Sequence, residues 1–261
     1  MTELCFLVSA PRSGSTFLTR ALGQHPEFGL TVESGWVALL RKAETLAVTP
    51  SMQPIDDGEG FTTVGVVPGP YVQSATAAFR AAASRFVEVF ADSVGATGRY
   101  YGDKVHSHND VEFLLRTFPD VRFVVLARDL RDVLVSSYTF QERQATAWQE
   151  ASFLQRCEHL ARFDEALHRL LGDARHPTVR YEDLVGSPQA EIERVLDGLG
   201  LSMHPAVEAW LDGEAKQLFQ AHGTSATPRE SIGRWRRDLT TEQQELAAQV
   251  LGDALARRGY S

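Results

Sequence analysis

The chain has 261 residues, 43% of them hydrophobic, a net charge of −8 and two cysteines. That length and apolar share suit one large α/β domain that buries its own core without disulfides. The acidic balance argues against nucleic acid or an anionic membrane as partner, so an anionic ligand needs a local basic site. Cys5 and Cys157 read as small core residues of a reducing compartment. The apolar opening Leu4–Val8 is too short for a signal peptide or a membrane span. A cytoplasmic protein without integral membrane association is expected.

Leu4–Ser9 is predicted as a strand, Ala10–Ser15 as a glycine-containing turn and Thr16–Leu22 as a helix, the opening of a βαβ unit. Trp36–Leu46 reads as a second helix. Residues 47–70 are rich in Pro, Gly, Thr and Asp without periodicity, as in a functional lid or a poorly ordered loop. Tyr71–Val94 has helical spacing, Tyr100–Lys104 suits a short strand, and Asp110–Phe118 a helix ended by Pro119. The continuous apolar run Arg122–Ala127 predicts a central parallel strand buried on both faces, and Arg131–Tyr138 continues as helix. Trp148–Leu171 is a long amphipathic helix stopped by Gly172, and Thr178–Tyr181 a brief strand. Pro188–Leu199 has proline in its first turn and Gly200 past its end. The last helix starts near Thr240, at capping-box spacing from Gln243, and runs to about Arg258. Strands alternating with helices predict a parallel sheet covered on both faces.

Two segments carry anion-binding chemistry. Ala10–Thr16 (APRSGST) joins the first strand to the first helix, where backbone N–H groups and the helix dipole attract an anion. Gly14 permits close approach of the backbone, Ser13, Ser15 and Thr16 carry hydroxyls, and Arg12 adds a planar fork of donors. The loop is one glycine shorter than a Walker A loop and lacks its lysine, which weakens an ATP or GTP hydrolase reading. A plain βα turn capped by Ser or Thr is the alternative. Arg128 follows the second strong strand, at the carboxyl end where α/β crevices form. Ser136 lies eight residues on, about two helical turns further. The two could grip one phosphate, or Arg128 could close a strand-end salt bridge. Arg131 and Asp132 read as helix-surface charges or a local ion pair.

These segments resemble the PAPS-dependent sulfotransferases (PAPS, 3′-phosphoadenosine 5′-phosphosulfate), nearest in style to bacterial small-molecule enzymes. Pro11–Thr16 resembles their 5′-phosphosulfate loop, and Arg128 with Ser136 their 3′-phosphate motif. Tyr100–His106 (YYGDKVH), Arg180–Pro188 (RYEDLVGSP) and Ser231–Leu239 (SIGRWRRDL) resemble further family segments, in family order. The resemblance implies a P-loop-like three-layer αβα fold with a central parallel sheet, as a single domain over 1–261 with 47–98 as an acceptor-side lid or insertion. It implies transfer of a sulfuryl group from PAPS to a hydroxyl of a small-molecule acceptor by in-line displacement, leaving 3′,5′-adenosine diphosphate, with no metal required. A sugar, lipid, polyketide or amino-acid derivative would each fit as acceptor, and a homodimer is left open. A P-loop kinase using ATP and a non-catalytic nucleotide-binding protein are the alternatives.

Under that resemblance Arg12, Lys104 and Thr16 would bind the 5′-phosphosulfate. The general base would be His106, in the family's Lys-x-His arrangement, or Glu33, 21 residues after Arg12 (33 − 12). His106 is preferred, and both could line the acceptor site. A backbone-bonded histidine and a helix N-terminal carboxylate are the plainer readings of the two. His106 and His108 have no third ligand at metal spacing. Arg229 with the backbone of Ser231, Ile232 and Gly233 would hold the 3′-phosphate, whereas Arg236 and Arg237 read as a solvated face. Trp235 reads as core. Tyr181 could approach the adenine or simply pack.

Overall fold

A computed structural model describes residues 3–48, 55–56, 62–63, 69–143, 151–172, 176–215, 217–218 and 224–260. The first strand, β1 (Glu3–Ser9), leads through the glycine turn into α1 (Ser15–Leu22), β2 (Phe28–Leu30) and α2 (Trp36–Val48). A two-stranded antiparallel ribbon, β3 (Ile55–Asp56) and β4 (Thr62–Thr63), precedes the long α3 (Gly69–Ser93). Then follow β5 (Tyr100–Gly102), β6 (Lys104–Val105), α4 (His108–Thr117), β7 (Arg122–Ala127) and α5 (Leu130–Arg143). The chain continues with α6 (Phe153–Leu171), β8 (Thr178–Arg180), α7 (Tyr181–Gly186), α8 (Pro188–Gly198) and α9 (Pro205–Asp212). A 3₁₀ turn at Arg229–Ser231, a single helical turn at Trp235–Asp238 and a terminal helix at Thr241–Arg257 end it.

The main sheet is parallel, in the order β2-β5-β1-β7-β8, with β6 prolonging β5 alongside β1. From β1 the chain first builds outward to β2 and β5, then crosses to β7 and β8. That reversal opens a crevice at the carboxyl ends of the central strands, where open α/β sheets bind ligands.

Alternation along the strands sorts the core into two layers. Phe6, Val8, Tyr101, Phe123 and Val125 face α2 to α6 and the terminal helix. Cys5, Leu7, Tyr100, Val124 and Leu126 face α1 and α7 to α9. The two-sided burial expected of Arg122–Ala127 is thus present, and both cysteines are buried free thiols. The second half of 47–98 is no detached flap: Phe79, Ala83, Val87 and Ala91 of α3 belong to the main core. Residues 49–54, 57–61 and 64–68 of that expected lid lie outside the described residues.

Several boundaries move for local reasons. The helix expected from Trp148 starts at Phe153, because Ser152 and Gln155 form a reciprocal capping box; residues 144–150 lie outside the described residues. Thr240 and Gln243 form the box their spacing predicts. The strand expected at Tyr100–Lys104 is interrupted at Asp103, whose carbonyl still accepts the Leu7 N–H (3.1 Å). Tyr181, expected to end a strand, begins α7. Among the described residues no helix is long and apolar enough to cross a membrane.

Candidate functional site

The register of β1 with β6 decides which side chains meet at the crevice. Val8 pairs with Val105, so the next residues, Ser9 and His106, stand side by side. His106 Nδ1 lies 2.8 Å from the Ser9 carbonyl oxygen, which makes Nδ1–H the donor there and leaves Nε2 as the basic nitrogen. Nε2 faces Glu33 Oε1 at 3.4 Å. The same Oε1 lies 2.8 Å from Lys104 Nζ, and Nζ reaches Thr16 Oγ1 of the first loop at 3.4 Å. Thr16, Glu33, Lys104 and His106, expected at one end of the ligand, therefore meet in one cluster, beside the loop that carries Arg12. The plainer reading of His106 is also fulfilled, since one ring nitrogen is bonded to backbone. Glu33 lies in the turn before α2.

The electrostatics of this cluster follow from burial and pairing. Lys104 is nearly enclosed, its side chain 5% exposed, whereas that of Glu33 is 59% exposed. The bonded Lys104 ammonium holds the Glu33 carboxyl below the usual carboxylate range. Burial pushes the His106 imidazole below its ordinary value, with Lys104 adding to the effect and the Ser9 carbonyl and Glu33 opposing it. Arg12 (φ 66°) and Glu33 (φ 50°) are the two non-glycine residues in the left-handed region among the described residues. Left-handed backbone costs about 1–2 kcal/mol for an L-residue, and such strain gathers at binding and catalytic positions.

Gly14 (φ 93°) is the N-cap of α1, and no side chain caps the helix there. Ser13 Oγ is buried without a hydrogen-bond partner. Burial and the neighbouring Arg128 lower the proton affinity of the Arg12 guanidinium, which stacks 4.1 Å above the Phe140 ring.

Arg128, 6% exposed, adjoins this loop directly. Its Nη1 donates to the Arg12 carbonyl (2.9 Å) and its Nη2 to the Ser231 carbonyl (2.7 Å). Both acceptors are neutral, and its buried Nε has no hydrogen-bond partner. The strand-end salt bridge considered for Arg128 is thus replaced by two carbonyl bonds. Tyr181 lies beneath its guanidinium at 4.2 Å, and the Tyr181 hydroxyl meets Ser231 Oγ at 2.9 Å. That ring packs between Gly14 and Arg128.

Other expected contacts come out differently. Ser136 Oγ, expected to share a phosphate with Arg128, bonds Thr224 Oγ1 (3.1 Å) in this structure. The amides of Ser231, Ile232 and Gly233 are satisfied internally, by Pro228, Arg229 and the Asp132 carboxylate. The Arg229 side chain is exposed. This segment therefore meets Arg128 through the Ser231 carbonyl, not through free amides.

Arg131 and Asp132, read as helix-surface charges or a local ion pair, are buried. Arg131 pairs with Asp129 (2.8 Å) and stacks on Trp235, which is core as expected. Asp132 accepts the Gly233 and Trp235 amides at 2.6 and 3.0 Å; burial raises its pKa and these bonds oppose the rise. Arg234, which forms a late basic cluster in the sequence with Arg229, Arg236 and Arg237 but carries no expected role of its own, is buried and gathers Thr224, Ser225, Thr139 and Asp238. The signal available was its place one residue after Gly233 in the basic cluster.

Comparison with known proteins fits this geometry. The profile of the sulfotransferase family matches residues 5–205. Nodulation protein NoeE of Sinorhizobium fredii is 26% identical over 295 aligned positions, which take in 98% of this chain and 66% of NoeE. The chain thus spans a little under two thirds of that relative. The sulfotransferase domain from the curacin biosynthetic pathway superposes with a TM-score of 0.61 at 16% identity, over 100% of this chain and 99% of that domain. A mouse sulfotransferase complexed with PAP gives 0.57 at 12% identity, over 97% and 85% of the two chains. At such identities the structural likeness is one of fold. The family match, by contrast, runs from β1 to the start of α9 and takes in both the first loop and Arg128, and on it the chain belongs to the sulfotransferase family.

Proposed function

We propose that this chain transfers a sulfuryl group from PAPS to the hydroxyl of a small-molecule acceptor in the cytoplasm. One observation carries the reading: the loop Arg12–Thr16 touches Lys104 through the Thr16 hydroxyl and Arg128 through the Arg12 carbonyl, so two basic ends share one crevice. The chain's own groups suit a bisphosphorylated donor. Ser13 Oγ and Arg128 Nε are buried donors without partners.

When bound, the donor supplies the sulfuryl group, which passes directly to the acceptor oxygen. Arg12, Ser13, Gly14, Ser15, Thr16 and Lys104 hold the 5′ end and stabilise charge on the departing side. Arg128 and Ser136 hold the 3′ end. His106 takes the acceptor proton on Nε2, because burial keeps its ring neutral and Nδ1–H is committed to Ser9. Glu33 is the weaker base, since Lys104 stabilises its charged form; it stabilises the imidazolium once His106 is protonated. The acceptor-side role expected of residues 47–98 belongs to the same proposal, and of that segment α3 packs against α2.

The test is transfer of label from sulfur-labelled PAPS to a panel of hydroxyl acceptors by wild type, His106→Ala and Glu33→Ala. Removing a general base costs about 10²–10⁴-fold, so His106→Ala should fall in that range and Glu33→Ala less. Severe loss in Glu33→Ala with a mild effect in His106→Ala would reverse the assignment. Transfer of the γ-phosphate of ATP, or indifference to 3′,5′-adenosine diphosphate, would overturn the function itself.

A further inference from the structure

The turn that carries Glu33 cannot hold itself. Glu33 is left-handed and so is Gly35 (φ 79°). Its ion pair with Lys104 is half-exposed on the Glu33 side, and such pairs contribute little against a turn's backbone strain. The anchoring comes from Asp103, 2% exposed, in the break between β5 and β6. Its Oδ2 accepts both the Ser34 N–H (2.9 Å) and the Ser34 hydroxyl. Its Oδ1 accepts the N–H of Lys104 (2.7 Å). One carboxylate thus ties the Glu33–Ser34 turn to the strand that bears Lys104 and His106. Thr31, bonded through N–H and Oγ1 to the Gly102 carbonyl (3.0 and 3.1 Å), secures the other end.

We infer that Asp103 is a positioning residue: its buried carboxylate clamps the Glu33–Ser34 turn and thereby presents the Glu33 carboxylate to Lys104 and His106. Its part in catalysis rests on the function proposed above; the clamp itself does not. Asp103 touches neither acceptor nor donor in this role and acts only through Glu33.

The charged groups facing His106 are Lys104, from its own strand, and Glu33, from the turn before α2; β1 contributes the Ser9 carbonyl. The His106 ring therefore reports where Glu33 stands. Imidazole NMR titrations are recorded for wild type, Asp103→Asn, Glu33→Gln and the double variant, with His106 assigned through His106→Gln. Asp103→Asn should lower the His106 midpoint, as Glu33→Gln does, and should add nothing in the Glu33→Gln background. A downward shift that persists undiminished in that background would mean that Asp103 acts through its own field, and a folded Asp103→Asn with no shift would mean no clamp; either overturns the proposal. Ser34→Ala removes one clamp bond and no charge. It should shift the midpoint in the same direction by less, and it decides the matter if Asp103→Asn does not fold. In labelled transfer, Asp103→Asn should lower kcat by about tenfold, the scale of a misplaced catalytic group, with KM for PAPS within about twofold. A raised donor KM with unchanged kcat would also refute it. If wild type transfers no sulfate, the titrations still decide the clamp.

Discussion

Replacing Gly14 with alanine probes the closest approach in the candidate site. The new Cβ would stand 2.6 Å from Cδ2 and 2.7 Å from Cε2 of Tyr181, at a backbone φ of +93°. The left-handed conformation costs an L-residue about 1–2 kcal/mol. Overlap with a packed ring costs about 1–3 kcal/mol more. The sum of about 2–5 kcal/mol corresponds to a fall in Tm of about 4–20 °C for a chain of this size. The ring has little room to retreat, because Arg128 stacks on it at 4.2 Å and its hydroxyl is bonded to Ser231. Displacing it disturbs Arg128, so affinity for 3′,5′-adenosine diphosphate should drop by about tenfold, equivalent to about 1.4 kcal/mol. Thermal unfolding and titration calorimetry read the two effects separately. In a Gly14→Ala/Tyr181→Ala double variant the overlap disappears, and the losses should be sub-additive by about 1–3 kcal/mol. A Gly14→Ala protein that melts with wild type and binds the nucleotide equally well, or strictly additive losses, would refute the reasoning.

Other outcomes are expected on the same grounds. Arg128→Lys exchanges a planar fork bonded to two carbonyls for a point charge; calorimetry should show nucleotide affinity at least about tenfold lower, and equal affinity would remove Arg128 from the site. Asp132→Ala strips the Gly233 and Trp235 amides of their buried acceptor; a loss of about 2–4 kcal/mol in denaturant unfolding follows from two stranded donors at about 1–2 kcal/mol each. The rate of transfer should rise with pH through the His106 midpoint, placing the acid limb of the pH–kcat profile below the ordinary imidazole value of 6.5; a limb above that value would contradict a buried neutral base. The sign for stability follows from the same shift. Between 6.5 and the lower folded value the unfolded chain binds more protons at this site, so His106's contribution to stability is full above 6.5 and is lost as pH falls through that window.

Much of the fold was legible because local rules decide it. The uninterrupted run Arg122–Ala127 could only be a strand covered on both faces, and the boxes at Ser152 and Thr240 set helix starts by side-chain geometry alone. Ser152 went unused only because the helical pattern extends back past it. The three-residue β2 and the brief α7 and α9 carry too few residues for a period to show. Of the two readings of Arg131 and Asp132, Arg131 forms a local ion pair with Asp129, while the solvated helix face is absent, because nothing local announces that a distant segment will cover it. Asp103 lay in plain view beside Lys104, but its partner Ser34 belongs to another segment.

By itself the sequence determined the parallel α/β class, the anion loop between β1 and α1, and the cations placed at strand ends, because periodicity, glycine and charge act over a few residues. Only the tertiary structure decided which of these meet. Bonds spanning 116 and 103 residues join Arg128 to Arg12 and to Ser231, and the β1–β6 register sets His106 beside Ser9 and within reach of Glu33. Such meetings depend on strand order and register, which come from burying two core layers at once and which no short stretch of chain encodes.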